Sequence, residues 1–432
     1  MPDHRKIPTS RLSRLARLAT VGARAGASAV LGGTGRGAAE QAAEVLGTMR
    51  GLAAKMGQMA SYVDGVIPEK QRDAYERAMS VLRSQAPRSS PEEVRKTIET
   101  ELSASLTELF KEWNDVPIAS ASIGQVHEAT LHDGRKVAVK VQHHGIQSAV
   151  ESDLSNASVL EGFAGALGGR RFDSKALLAV IKARFREELD YELEARRLLA
   201  FRELHAGDPT IEIPELVASH SSTRVLTTMF VRGKSFEEAC ASSADERRAW
   251  AATLWRFVFK GNLVLGMFNA DPHPGNYFFQ EGGKVAFIDY GCVQELTPFH
   301  RDWACAVHKA ALAGDEQAFR DGLSKLIGAK PGRLEALAQA YTRVCFEPLF
   351  ASPYRMTREY AGSLVSGMKD MASEAAKVPE SEFFTMPPHM LFLNRLQFGF
   401  YSVLARLDVE CDYAAVEAAF LGVPGGSGSR HH

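Results

Sequence analysis

Three polar residues around one short apolar run constrain this chain more than any other feature. Asp271 and Asn276 lie five residues apart in Asn-Ala-Asp-Pro-His-Pro-Gly-Asn, and Asp289 follows the apolar residues Phe287 and Ile288. One carboxylate can orient an attacking hydroxyl, while an amide oxygen and a second carboxylate can hold Mg²⁺. The pattern predicts a catalytic loop followed by a metal-binding strand end, as used in phosphoryl transfer.

A predicted strand that ends in a lysine lies upstream of this loop. The runs 125–131 and 135–142 have the composition of β-strands and are joined by His-Asp-Gly, a strong signal for a hairpin. Lys140 ends the sequence Val-Ala-Val-Lys, which is typical of a lysine that reaches nucleotide phosphates. Glu194 lies further along, in a segment 174–205 with apolar residues at helical spacing. We predict one helix over this segment and a pair between Lys140 and Glu194.

Each of these signals is weak by itself, because Asp and Asn favour turns and a lysine on a strand is often solvated. All five residues occur in the expected order, each on the expected element, and together they indicate an enzyme that transfers a phosphoryl group from ATP. Asp271 would act as a base or orient a water, and Asn276 and Asp289 would hold Mg²⁺. Lys140 and Glu194 complete the predicted catalytic set.

The loop before the hairpin differs from that of an ordinary protein kinase, in which three spaced glycines approach the phosphates. This chain instead has four small residues there that we predict to contact the nucleotide: Ala119, Ser120, Ala121 and Ser122. A helix start at Thr297-Pro298 follows Gly291 after a few residues, and no Ala-Pro-Glu sequence comes later. No room is left for a long activation loop, so ordinary protein phosphorylation is disfavoured.

Four motifs together are typical of a known family. They are Lys55-Met56-Gly57-Gln58, the alanine-rich run from Ala119 to His127, Glu188-Leu189-Asp190, and the run from Asp271 to Asn276 with Asp289-Tyr290-Gly291. On these motifs the chain resembles the UbiB-type (AarF/UbiB) atypical kinase family over residues 40 to 422, in particular its coenzyme Q biosynthesis branch.

The resemblance implies an α+β, two-lobed, protein-kinase-like fold with an N-terminal helical extension packed over the cleft. Lys55, Gly57 and Gln58 of the extension, with Glu188 and Asp190, would form a regulatory set near the nucleotide. The implied activity is that of an ATP- and Mg²⁺-dependent atypical kinase or ATPase that supports isoprenoid quinone (ubiquinone) biosynthesis, with little ordinary protein kinase activity. The implied partners are a quinone-precursor lipid and other quinone-biosynthesis proteins.

The helical pattern conflicts with one part of this expectation. On an ideal helix Asp190 and Glu194 share a face, but Glu188 lies about 160° away from Asp190. Both signature carboxylates can face the nucleotide only if the helix is distorted; otherwise Glu188 meets the extension. Ser120 stands where family members often have alanine, which leaves the nucleotide preference open, and Met229 stands where the predicted hinge usually has an acidic residue.

Amino-acid composition and helix-start signals divide the chain into predicted segments. Residues 1–39 are basic and rich in Gly and Ala, 40–112 form the helical extension, 113–232 the N-lobe, 233–422 the C-lobe, and 423–432 a flexible tail. Capping boxes begin two of the predicted helices, with Ser90 and Glu93 around Pro91 and with Ser243 and Glu246.

A formal net charge of −1 gives no case for a nucleic-acid partner. The basic N-terminus is typical either of an amphipathic helix on an anionic membrane surface or of a flexible tail. No apolar run reaches the roughly 18 residues of a spanning helix. The five cysteines are scattered, which favours a reducing compartment. We expect a cytoplasmic protein, with or without peripheral membrane contact, or a mitochondrial one in a eukaryote.

Three alternatives stay open. A small-molecule phosphotransferase shares the Asp-x-His-Pro-x-Asn loop and the short activation segment, although the extension argues against it. A nucleotide-switched scaffold that binds lipid or protein is compatible with the same residues, since a motif does not prove turnover. An ordinary protein kinase fits least well. Within the loop, we interpret His273 as a residue that bonds the turn in preference to a catalytic one.

Overall fold

The computed structural model of the protein describes residues 89–120, 123–154, 182–183, 186–269, 271, 273–375, 377–378 and 388–423. These residues form two compact units. Unit 1 comprises the described residues up to Ala195 together with Glu215–Phe230, and unit 2 comprises Arg196–Pro214 together with those from Val231 onward. Helices and sheets are both present, so the predicted α+β class is confirmed. The predicted extension is described only from Ser89 onward, and the predicted segment boundaries stay predictions.

The strands are short and belong to several separate sheets. In chain order they are β1 (Glu112–Trp113), β2 (Ala119–Ser120), β3 (Gly124–Thr130), β4 (Lys136–Gln142), β5 (Ile211–Glu212), β6 (Val225–Met229), β7 (Met267–Asn269), β8 (Tyr277–Phe279), β9 (Val285–Phe287), β10 (Val293–Glu295), β11 (Tyr354–Arg355) and β12 (Glu410–Cys411). Unit 1 has the order β1-β3-β4-β6 with β2 also on β3, while unit 2 has the order β5-β9-β8 and the pairs β7-β10 and β11-β12.

Helices make up most of unit 2. In chain order the helices of both units are α1 (Pro91–Leu102), α2 (Leu106–Leu109), α3 (Ile146–Leu154), α4 (Tyr191–Leu204), α5 (Phe236–Cys240), α6 (Ala244–Lys260), α7 (Pro298–Ala313), α8 (Glu316–Ile327), α9 (Arg333–Cys345), α10 (Glu347–Phe350), α11 (Arg358–Ala375), α12 (Pro388–Leu407) and α13 (Tyr413–Leu421). Within the described ranges, no helix has both the length and the low polarity needed to cross a membrane.

The sheet of unit 1 is built on the predicted hairpin. β3 and β4 pair antiparallel along their whole length, and Gly134 has a φ of 89° in the turn between them. Glycine has no Cβ to clash in that conformation, which is the physical basis of the Asp-Gly signal. β6 pairs with the other edge of β4, and both β1 and β2 pair with β3. The prediction that Lys140 lies on a hairpin strand is confirmed.

Alternation along β4 decides which side chains are buried. Val137, Val139 and Val141 are each 0% exposed and belong to one hydrophobic cluster with Val94 and Ile98 of α1. Each of these burials is worth about 1.5 kcal/mol or more of hydrophobic free energy. Because successive side chains on a strand point to opposite faces, the residue between Val139 and Val141 points away from this core.

The predicted helix starts are confirmed. At α1, the Ser90 hydroxyl accepts a hydrogen bond from the Glu93 N–H, and the Glu93 carboxylate accepts one from the Ser90 N–H at 2.9 Å. The same capping box begins α6 at Ser243. Thr297 caps α7, with proline at the first helical position. These caps satisfy N–H groups that the helices themselves leave unbonded.

Aromatic packing forms the core of unit 2 and supports the predicted metal-binding strand end. Trp250, Trp255 and Phe257 of α6 are at most 1% exposed. The Phe257 ring stacks on Phe287 of β9, with 3.6 Å between the ring centroids. Since β9 leads directly to Asp289, this packing fixes the backbone from which that carboxylate projects.

The prediction of one continuous helix over 174–205 is wrong. Residues 186–188 are helical, but the chain turns at Leu189, leaves helical conformation at Asp190, and begins α4 at Tyr191. The Asp190 carboxylate accepts a hydrogen bond from the Leu193 N–H at 2.9 Å, so Asp190 caps α4. Asp190 and Glu194 therefore do not share the face of one unbroken helix. Helical periodicity could not reveal the break, because it does not distinguish an exposed Asp from a cap.

Candidate active site

A buried ion pair brings together two of the predicted site residues in unit 1. The Lys140 Nζ donates to both carboxylate oxygens of Glu194, at 2.8 and 2.9 Å. The Glu194 side chain is 3% exposed and that of Lys140 is 19% exposed. Lys140 Nζ also lies 5.0 Å from the centroid of the Tyr191 ring. Burying a carboxylate is costly unless it is paired, so Glu194 and Lys140 hold each other in place.

The end of β4 anchors the segment that carries the Glu-x-Asp signature. The Gln142 side-chain amide donates to the Leu189 carbonyl at 2.7 Å, and the Tyr191 N–H donates to the Thr223 carbonyl at 3.0 Å. Glu188 and Asp190, the residues on either side of Leu189, are partly buried. An unbroken helix would point the Glu188 and Asp190 carboxylates in nearly opposite directions. The turn at Leu189 breaks the helix and removes that restriction.

The predicted catalytic loop is held by one asparagine in unit 2. The Asn269 side-chain NH₂ donates to the Asp289 carbonyl at 2.6 Å, and its oxygen accepts from the Asp271 N–H at 3.1 Å. Asn269 is 9% exposed. Its side chain therefore ties the backbone of the predicted base to the backbone of the predicted metal ligand. No motif marks Asn269 as a site residue; its place two residues before Asp271, where its oxygen can bond the Asp271 N–H, was the available signal.

The two predicted metal ligands lie on neighbouring backbone segments. The Asn276 side-chain NH₂ donates to the Asp271 carbonyl at 3.2 Å, which leaves the Asn276 Oδ1 as its acceptor atom. The Ile288 N–H donates to the Asn276 carbonyl at 3.2 Å, and Asp289 Oδ1 accepts from the Gly291 N–H at 2.9 Å. An amide oxygen and a carboxylate are the hard oxygen donors that suit Mg²⁺ carried by a nucleotide, so these residues fit the ion.

Tyrosines flank both aspartates of this loop and stay protonated. Burial raises the pKa of Tyr277, and the nearby Asp271 carboxylate raises it further. Burial and the Asp289 carboxylate likewise raise the pKa of Tyr290. The Tyr290 hydroxyl donates to the Phe287 carbonyl at 3.1 Å. His273 Nδ1 accepts from the Gly275 N–H at 3.0 Å, which is the turn-bonding role expected of it.

The remaining predicted residues are distributed as follows. Ala119 and Ser120 form β2 and pair with Val126 and Gln125, so this stretch is part of the sheet. The Ser120 hydroxyl oxygen is buried and has no hydrogen-bond partner among the described residues. Outside the described residues lie Lys55, Gly57, Gln58, Ala121 and Ser122. Tyr191 and Gln142 also support the site, although no periodicity or motif in the sequence marks them.

Fold and geometry together define a kinase-like protein, with a paired strand lysine in one unit and an Asp, Asn and Asp set in the other. The family model of the ABC1 atypical kinase-like domain matches residues 81–322. The chain belongs to this family, the UbiB-type atypical kinases that its motifs resemble.

Curated relatives are named as atypical kinases. The chain is 32% identical to the mitochondrial atypical kinase coq-8 of Caenorhabditis elegans, over 65% of this chain and 37% of the relative. It is 30% identical to the mitochondrial atypical kinase COQ8B of Rattus norvegicus, over 72% of this chain and 62% of the relative. The chain thus spans less than two thirds of the length of either relative.

A solved structure is similar to most of this chain. It is the complex of Rv3197 with erythromycin from Mycobacterium tuberculosis, which is 26% identical to this chain with a TM-score of 0.58. The superposition covers 87% of this chain and 93% of the other.

Proposed function

We propose that this protein binds ATP with Mg²⁺ and acts as an atypical kinase or ATPase that supports isoprenoid quinone (ubiquinone) biosynthesis. The observation that carries the proposal is the doubly hydrogen-bonded pair of Lys140 and Glu194. A buried ion pair adds little net stability compared with apolar packing, so a role of the lysine in binding explains the pair better than stability does. Kinases use such a pair to hold a lysine against nucleotide phosphates.

Each unit then contributes its own part of the chemistry. In unit 1, the Lys140 ammonium neutralises charge on the phosphates, and the backbone at Ala119 and Ser120 lies near the nucleotide. In unit 2, Asn276 and Asp289 would hold Mg²⁺, and the ion would neutralise charge on the phosphate oxygens. Asp271 orients the attacking hydroxyl or water, and its position depends on the hydrogen bond from its N–H to Asn269.

The proposal also covers the control of nucleotide binding and the acceptor of the phosphoryl group. Lys55, Gly57 and Gln58 of the extension, with Glu188 and Asp190, control access of the nucleotide. A quinone-precursor lipid at a membrane surface is the proposed acceptor or activating ligand, and ordinary protein kinase activity is low. The names of the relatives describe atypical kinases in mitochondria and support the kinase part of the proposal.

A second candidate function has separate support. The erythromycin complex of Rv3197 shows that a protein of similar fold over 93% of its length takes a bulky small molecule. We therefore keep nucleotide-dependent binding or phosphorylation of a small molecule other than a quinone precursor as the alternative. The common element of both candidates is ATP bound at Lys140.

Phosphate release from Mg·ATP by the purified protein tests the proposal. Anionic liposomes, a phenolic quinone-precursor analogue and erythromycin are added separately, and Asp289→Asn is assayed alongside the exposed Asp302→Asn control. Loss of a residue that stabilises transition-state charge lowers turnover by about 100-fold or more. Activity that rises with lipid or the phenol, and is lost only in Asp289→Asn, supports the quinone function. Stimulation by erythromycin alone favours the alternative, and tight ATP binding without turnover shows a nucleotide-switched scaffold.

A further inference from the structure

A closed ring of hydrogen bonds in unit 1 joins the start of β3 to Ser89, the residue before the α1 cap. The Ser89 N–H donates to Gln125 Oε1 at 2.9 Å, and the Ser89 hydroxyl bonds His143 Nδ1 at 2.9 Å. The His143 N–H donates in turn to the Ile123 carbonyl at 2.9 Å. Ser89, Gln125 and His143 are at most 7% exposed. Polar atoms buried this deeply are costly to leave unbonded, so the ring fixes residues 123–125 relative to Ser89.

The Gln125 amide can take only one orientation in this ring. Its oxygen accepts from the Ser89 N–H, so its NH₂ must be the group that lies 2.8 Å from His127 Nε2. His127 Nε2 is then the acceptor, and His127 Nδ1–H donates to the Asn114 carbonyl at 2.8 Å. Burial lowers the pKa of the His127 imidazole, which favours this neutral form. Gln125 thus has a defined donor and a defined acceptor, both buried.

The residue before Gln125 makes an unusually close contact with the tyrosine beside the ion pair. A Cβ placed on Gly124 would lie 2.5 Å from the Val141 carbonyl oxygen and 2.7 Å from the Tyr191 hydroxyl oxygen. The Val141 oxygen belongs to the backbone and cannot easily give way, so only glycine lets the strand approach so closely, and any side chain here would also push against the Tyr191 hydroxyl. The Lys140 Nζ in turn lies 5.0 Å from the centroid of the Tyr191 ring. Displacement of Gly124 would therefore move Tyr191, and with it Lys140.

We propose that Gln125 is a positioning residue for the Lys140–Glu194 pair. Its amide holds the start of β3 against Tyr191, and it ties that contact to Ser89, where the chain arrives from residues 1–88. A change in the position of Ser89 is thereby passed through Gln125 and Gly124 to the lysine. The inference rests on the proposed function in one respect, that Lys140 binds the phosphates of ATP.

A purely structural role for the ring makes a different prediction. In that case Gln125 contributes only stability, and Lys140 stays paired with Glu194 when the amide is lost. Gln125→Met keeps the length of the side chain and removes both hydrogen bonds. Ser90→Ala is the matched control, because it removes the neighbouring α1 cap and lowers stability without touching Gln125.

Two measurements separate these roles. The first is the rate at which an acylating reagent modifies Lys140 in the absence of nucleotide, read by peptide mass spectrometry, with Glu194→Gln as the reference for a broken pair. The second is the dissociation constant for ATP. We expect Gln125→Met to approach the labelling rate of Glu194→Gln and to bind ATP about tenfold more weakly, as follows from losing about one buried hydrogen bond of coupling. Ser90→Ala should lower the melting temperature and change neither quantity.

Equal labelling of Lys140 in Gln125→Met and wild type would overturn the inference, whatever the melting temperatures. Wild-type protein that does not bind ATP would overturn the proposed function but not this inference, because labelling needs no nucleotide. Ser89→Ala removes only the bond to His143 and is the milder variant should Gln125→Met not fold. It should raise labelling of Lys140 in the same direction, and unchanged labelling in this variant would also count against the ring as a relay.

Discussion

Two buried glutamates show how differently the two units use the same side chain. Glu194 in unit 1 pairs with Lys140, whose side chain is 19% exposed and can still meet a ligand. Glu417 in unit 2 is 0% exposed and accepts hydrogen bonds from Trp255 Nε1 at 2.9 Å and from His308 Nδ1 at 2.8 Å. Trp255 is 0% exposed and His308 is 5% exposed, so both partners of Glu417 are buried as well.

The difference separates a carboxylate that prepares a charge for binding from one that joins helices. The partners of Glu417 lie on α6 and α7, so its bonds connect α13 to both. Glu194 instead orients a cation that is partly open to solvent. We therefore expect loss of Glu417 to change stability, and loss of Glu194 to change nucleotide chemistry.

Glu417→Leu is expected to give the largest effect. The substitution leaves the Trp255 N–H and the His308 ring facing an apolar side chain, and breaking one member of a buried polar network costs about 3 to 5 kcal/mol. The measurement is the urea midpoint of unfolding. Glu417→Gln keeps an acceptor for Trp255 and should lose less, and equal midpoints for Glu417→Leu and wild type would remove the helix-joining role.

Glu194→Gln should affect ATP turnover strongly and stability only weakly. Its loss frees Lys140 to move and should lower ATP turnover by about 100-fold, since a misplaced cation no longer stabilises transition-state charge. Stability should fall less than in Glu417→Leu, because the Lys140 side chain is 19% exposed and its ammonium can meet water once the pair is broken, whereas both partners of Glu417 are buried. Steady-state turnover and the urea midpoint are both measured.

Glu192→Gln is the control for this variant, as an exposed glutamate on the same helix. A glutamine at position 194 that kept full turnover would show that the pair is structural and that the two glutamates do not differ in use.

His205 extends the comparison to a buried ionisable group in unit 2. Neither ring nitrogen has a hydrogen-bond partner within the described residues, and the residue is 3% exposed. Burial lowers the pKa of His205 to about 4, and the positive charge of Lys260 acts in the same direction. The unfolded chain, with an ordinary histidine pKa of about 6.5, therefore binds a proton before the folded protein does.

Stability from His205 is thus present above about pH 6.5 and is lost as the pH falls toward 4. The expected loss is about 2 kcal/mol at pH 5 relative to pH 8. His205→Leu should flatten the pH dependence of the urea midpoint over this range, while the exposed His144→Leu should leave it unchanged. An unaltered slope in His205→Leu would show that another group is responsible.

The sequence by itself determined the features that depend on neighbours along the chain. The Asp-Gly hairpin, the capping boxes at Ser90 and Ser243, and the start of α7 at Thr297 follow from local backbone chemistry, which few residues can satisfy. The loop from Asp271 to Asn276 belongs to the same class, since its turn closes through hydrogen bonds between residues at most five positions apart.

The tertiary structure decided what depends on residues that are distant in sequence. Lys140 and Glu194 are 54 positions apart, and their order along the chain suggested a pair that only packing brings into contact. The break before α4, the contact of Gly124 with Tyr191, and the ring through Ser89 and Gln125 carry no periodic signal. Burial created these features, because a polar group removed from water must find its partner wherever the fold places one.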